Sequence, residues 1–142
     1  MKLDFFMLAD DASAPDGKVY IHGGAITRAY PPNYPAPFVV TAVTRVLVDP
    51  DEIDGPPHPF SVEWFAPRDI APSGVARTDI IPSKPTTGVR EGEDIGIVIV
   101  ARMAVQLPQP GSYRVRVRLD GEVVCERQFY AAPTDDPTRP SV

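Results

Sequence analysis

The chain has 142 residues, a length that holds one domain with its own core, and its apolar share of 43% is that of a globular protein. Its formal charge of −5, from 19 acids against 14 bases, speaks against nucleic acid and anionic membranes, which need a local surplus of Lys and Arg. No apolar run reaches the ~20 residues of a membrane helix, and Cys125, the lone cysteine, has nothing to form an internal disulfide with.

No window keeps a 3.6-residue apolar period. Apolar residues alternate, or run on briefly, between Pro, Gly and Asp, which is the pattern of strands. The 18 prolines, more than twice the ordinary share, fall between these runs and punctuate them. Eight strands are predicted. The first covers residues 2–9, with Leu3, Phe5 and Met7 on one face and Phe6 and Leu8 on the other. A Pro15-Asp16-Gly17 turn leads into the second, 18–23. The proline-rich stretch 30–37 precedes a long apolar third strand, 38–48, and the acidic loop 49–59 separates it from the fourth, 60–66. A weaker fifth covers 75–81, and loop 82–94 leads to the sixth, 95–105. The seventh and eighth, 113–119 and 122–130, form a hairpin. With no repeat and no helical crossover, this predicts an all-β fold with little or no helix. Residues 1–132 form a single antiparallel β-sandwich of about eight strands, immunoglobulin-like or jelly-roll-like, and 133–142 form a disordered tail.

The hairpin can be read in register. A two-residue turn at Asp120-Gly121 would pair Arg116 with Cys125 and put arginines on the core face. A three-residue loop, Leu119-Asp120-Gly121, sets Val117 against Val123 and Val115 against Cys125 instead. Arg118 then opposes Glu122, and Arg114 opposes Glu126, in solvent. The longer loop is therefore expected. It makes the arginine row a self-neutralised face and Cys125 a core residue rather than a reactive thiol.

Little in the sequence points to catalysis. His22 ends the second strand, His58 lies among prolines, and nothing brings either to Cys125. Neither a nucleophile elbow nor a phosphate loop occurs, and Gly23-Gly24 lacks the third glycine of a dinucleotide fingerprint. No catalytic residue, cofactor or transition-metal site is assigned, and the chain is not expected to be an enzyme. Oxygen ligands crowd two loops: Asp49, Asp51 and Asp54 with Glu52, and Asp10, Asp11 and Asp16. Calcium, or a small ligand held by these loops, is thus the alternative function. Ile53 at the third ligand position separates the first loop from an EF-hand. Pro31-Pro32-Asn33-Tyr34 has the form of a Pro-Pro-x-Tyr ligand, which makes Tyr30 and Tyr34 candidate contacts. The plainer reading is a proline-rich connection that blunts a sheet edge.

The main functional pointer is a surplus of apolar faces. A two-layer sandwich buries one face per sheet, yet the first, third and sixth strands are apolar on both. Loops, strand switching, a second copy or another protein must cover the excess. Phe6, Leu8, Val39, Val43, Val98 and Val100 are the candidate partner-binding residues on these strands. The expected function is a non-enzymatic interaction or assembly module. Its partner is itself, as a homo-oligomer, or another protein, and not nucleic acid or membrane. Residues 1–11 lack the features of a secretion signal, so the expected location is cytoplasmic.

The opening Met1-Lys2-Leu3-Asp4-Phe5-Phe6-Met7-Leu8-Ala9-Asp10 resembles a family of small uncharacterised bacterial proteins, a domain of unknown function. So do Asp16-Gly17-Lys18-Val19-Tyr20-Ile21-His22-Gly23-Gly24, Pro110-Gly111-Ser112-Tyr113 and Leu119-Asp120-Gly121-Glu122. The resemblance covers nearly the whole chain. It implies a bacterial β-sandwich and carries over no activity or functional residue.

Overall fold

Strands take up most of the patterned sequence. In the computed structural model, which describes residues 1–84 and 88–141, they are β1 (Lys2–Ser13), β2 (Tyr20–Gly24), β3 (Arg28–Ala29), β4 (Ala36–Val48), β5 (His58–Phe65), β6 (Gly74–Ile80), β7 (Ile95–Leu107), β8 (Gly111–Leu119) and β9 (Glu122–Ala131). Residues 85–87 of the loop before β7, and Val142 of the tail, lie outside the described residues. Two 3-10 turns, Pro15–Gly17 and Pro50–Glu52, are the only helical pieces among the described residues. None is long and apolar enough to cross a membrane.

The strands form two sheets, β2-β1-β4-β7 and β3-β9-β8-β5-β6, packed as a sandwich. Among the described residues, all pairings are antiparallel except that of the two-residue β3 with β9. This ninth strand, absent from the prediction, is where the chain changes sheets. The Ile26 N–H still donates to Leu8 C=O in the first sheet, while the Tyr130 N–H donates to Thr27 C=O in the second. The crossing closes one side of the sandwich.

Alternation along β4, β5, β7, β8 and β9 delivers the core. Trp64 lies at its centre, with ring centroids 5.2 Å from Phe129 and 5.7 Å from Tyr113, and Phe38 sits 5.1 Å from Phe129. Such pairs add to the area that each ring buries. The buried Tyr113 hydroxyl donates to Gln109 C=O at 2.7 Å, which pins the corner where β8 begins. Gly111 starts that strand at φ 138°, and a Cβ there would come within 3.2 Å of Pro67.

Two registers differ from expectation. In β1 the pairing with β4 shifts between Leu3 and Phe5, so Asp4 is an extra residue. The shift turns Leu3 inward with Phe6 and Leu8, which join the core at 8% and 4% exposure. Phe6 and Leu8 therefore cannot be partner contacts. The large apolar residues of β1 that face outward are Phe5 and Met7, opposite Arg45 and Val43.

The hairpin does not use the three-residue loop. Leu119 pairs with Glu122 around a two-residue turn in which Asp120 (φ 53°) and Gly121 (φ 81°) are both left-handed. A bulge at Val124 then restores the facing, so that Val117 meets Cys125 and Arg116 meets Glu126. The core assignment of Val115, Val117 and Cys125 holds, but a strand bulge supplies the register step that was expected from the loop.

Candidate functional site

The acidic candidates have other occupations. Asp49 and Glu52 form a capping box on their own 3-10 turn, with the Asp49 N–H donating to Glu52 at 2.9 Å. Both carboxylates also take the Met1 ammonium. Burial pushes the Glu52 carboxyl up, but hydrogen bonds from that ammonium and from the Asp49 backbone outweigh it and hold the group below its usual range. Asp54 and Asp16 sit at positive φ in turns. Asp10 and Asp11 belong to β1 rather than to a loop, and Asp10 lies over Gly23, where a Cβ would strike its carboxylate. Among the described residues, no three His, Cys, Asp or Glu side chains gather in a way that could hold a metal ion.

The groups with catalytic chemistry stay apart. Cys125 is buried between the sheets, and burial pushes its thiol pKa up, away from reactivity. His58 Nδ1 lies 2.9 Å from an Asp120 carboxylate oxygen beside the β8–β9 turn. His22 is exposed on β2, opposite Asp11. No hydrogen bond links any two of Cys125, His22 and His58 among the described residues.

The Pro-Pro-x-Tyr segment is also engaged. The Tyr34 hydroxyl donates to Ala132 C=O at 2.6 Å, and Pro31 is buried. From the tail, the Arg139 guanidinium donates to the carbonyls of Tyr30 and Pro31, and Thr138 accepts from Arg28, which lies over the Tyr30 ring. This packing holds Tyr30 and Tyr34 against their own chain.

The outer faces of the two sheets remain. On the five-stranded sheet, Phe65 and Glu63 point outward, opposite Arg114 and Arg116 of β8. Yet Phe65 is 2% exposed and Glu63 9%. The Arg114 and Arg116 guanidiniums lie 4.9 and 4.7 Å from the Phe65 ring centroid. Arg118 reaches Glu63 at 3.1 Å, and Arg116 reaches Glu126 at 3.0 Å. The arginine row is a roof whose stems cover apolar surface. It draws on Glu63, from a different strand, rather than on Glu122 as the hairpin alone suggested.

Among the described residues, the four-stranded sheet has no such roof. Its outer face carries Phe5 and Met7 of β1, Val39, Val43 and Leu47 of β4, and Val98 and Val100 of β7. Val43 is buried, Val39 is 46% exposed, and the others are half-buried. Charge stands at two places on it: Arg45 pairs with Asp4 at 2.5 Å and lies across Gly96, and the exposed Arg102 stands opposite Thr41. Of the sequence candidates, Val39, Val43, Val98 and Val100 thus meet on one surface, joined by Phe5 and Met7, which were missed because the Asp4 bulge carries no sequence mark.

No curated protein and no solved structure matches the chain. A family model described as a family of unknown function matches residues 4–132, nearly the whole of the two-sheet fold. The chain belongs to that family, DUF6941.

Proposed function

We propose that this chain is a non-enzymatic assembly module that joins another polypeptide through the outer face of its four-stranded sheet and the β7 edge beside it. The observation that carries this reading is the edge. β7 is 13 residues long, and among the described residues it pairs only with β4. Its outer backbone groups offer a ladder to an added strand, and Val98 and Val100 offer that strand an apolar face. The separation of Cys125, His22 and His58 supports a role without catalysis. A lone buried Cys125 also suits a reducing compartment, the cytoplasm.

Photo-crosslinking in cells tests the reading. A photoreactive side chain in place of Val100 is expected to give covalent adducts with protein, and one in place of the exposed Val124 is expected to give few. Equal, low yields at both positions would overturn the assembly role.

A further inference from the structure

Sheets blunt their edges with shortness, charge, proline or bulges. Three of the four edges here are blunted. β2 has five residues, two of them glycine, and β3 has two. β6 has seven, carries Arg77 and Asp79, and is followed by Pro82. β7 follows these rules least. It runs against β4 over all 13 residues without a bulge, contains no proline and carries one charge, Arg102. The opposing edge, β6, approaches it near Val105, where a Cβ on Gly74 would lie 3.2 Å from the valine. Farther along, a groove of about 260 Å³ stays open between Ala76–Thr78 of β6 and 99–101 of β7.

The geometry points to a second copy of this chain as the strand that completes β7. The two β7 strands lie antiparallel across a two-fold axis, with Val98 facing Val98, and the sheet continues from one copy into the other. This inference rests on the assembly reading and names its partner.

Two constraints select that register. In an antiparallel pair, the backbone groups facing outward belong to alternate residues, so a symmetric pairing sets even positions against even ones. The same parity keeps both outer apolar faces on one side of the joined sheet. The second constraint is charge. Neither Arg102 nor Asp94 takes part in an ion pair among the described residues. They stand four residues either side of Val98. With Val98 on the axis, Arg102 of each copy opposes Asp94 of the other, and the ion pair forms twice. Val100 then opposes Gly96, and Ile97 opposes Ile99. Centring on Ile97 or Ile99 loses both ion pairs, and centring on Arg102 sets like charges face to face.

Sedimentation of the full chain at low salt, combined with cysteine cross-linking, tests this. The wild type is expected to form dimers. Asp94→Arg and Arg102→Asp should each weaken association about tenfold or more, because each sets like charges opposite one another. The double swap Asp94→Arg/Arg102→Asp should restore it to within about threefold. Under mild oxidation Val98→Cys should cross-link copy to copy, whereas Ala104→Cys on the same face should not; the native Cys125 is buried and stays out of the reaction. A dimer indifferent to the charge swaps, or one cross-linked equally well through Ala104→Cys, overturns the register. A monomeric wild type whose Val100 photoadducts contain other proteins overturns self-pairing and leaves the assembly role standing. A monomer without adducts overturns both.

Discussion

The two outer faces of this sandwich solve one problem in opposite ways. Both sheets carry outward apolar side chains. On the five-stranded sheet, Phe65 lies under two guanidiniums and Glu63 under Arg118, so long side chains of the same molecule exclude water. On the four-stranded sheet, Met7 and Val100 lie opposite Val43, Arg45 opposite Val98 reaches toward Asp4 and Gly96, and the exposed Arg102 makes no ion pair among the described residues. The strands look alike in hydrophobic pattern, and what separates the faces is how many long cations the adjacent strand supplies. β8 sets Arg114, Arg116 and Arg118 beside β5. β7 sets one cation, Arg102, beside β4, with Gly96, Val98 and Val100 at the neighbouring outward positions. An apolar outer face therefore marks a partner surface only after the side chains of the neighbouring strand have been counted.

If the arginine face is structural, damage to it should appear as lost stability. Phe65→Ala is expected to cost about 3 kcal/mol, the low end for a buried aromatic, since the arginine stems can settle into part of the void. Chemical denaturation measures it, and a cost below ~1 kcal/mol would mean that Phe65 is not roofed in solution. Arg118→Ala comes next, at about 1–2 kcal/mol, because it strips Glu63 of its partner at a site with little water. Adding Glu63→Gln to Arg118→Ala should recover part of that loss. The open face should behave in reverse. Val100→Lys is expected to change monomer stability by only about 0.5 kcal/mol, since the strand keeps its ladder with β4 and the side chain points to solvent. Its effect belongs to association, read by sedimentation. A large loss of melting temperature with unchanged association would exchange the roles of the two faces.

Much of this contrast was legible in the sequence, and the rest was hidden for physical reasons. Period-two alternation placed the long strands, and the surplus on β4 and β7 identified Val39, Val43, Val98 and Val100. Bulges were not legible, because an inserted residue changes the face without changing composition. Asp4 reads as an ordinary polar position, and Val124 as one more valine in a valine pair. β3 was invisible, since two residues held by backbone pairing carry no pattern. The arginine roof was missed because it depends on β8 lying next to β5, a neighbour some fifty residues distant in sequence. Local pairing suggested Glu122 as a partner, and tertiary order supplied Glu63.

The smallest effect tests the layer between the two faces. Burial raises the Cys125 thiol above its ordinary value of 9.0, with Arg127 acting weakly in the other direction. The native state therefore keeps its proton at a pH where the unfolded chain has lost it. The contribution is fully present well below pH 9 and declines as pH rises through the unfolded value toward the folded one. At pH 9, where half of the unfolded thiols are ionised, the loss is about 0.4 kcal/mol. Other groups titrate in the same range, so the informative quantity is a difference: wild type should lose more stability between pH 8 and 9 than Cys125→Ala does. A thiol reagent at pH 8 should react no faster than the chain unfolds. Rapid labelling of native protein, with the pH difference absent, would mean that the core opens beside β9. The apolar pocket lined by Phe6, Leu8, Ile26 and Arg127 would be the place to look for the gap.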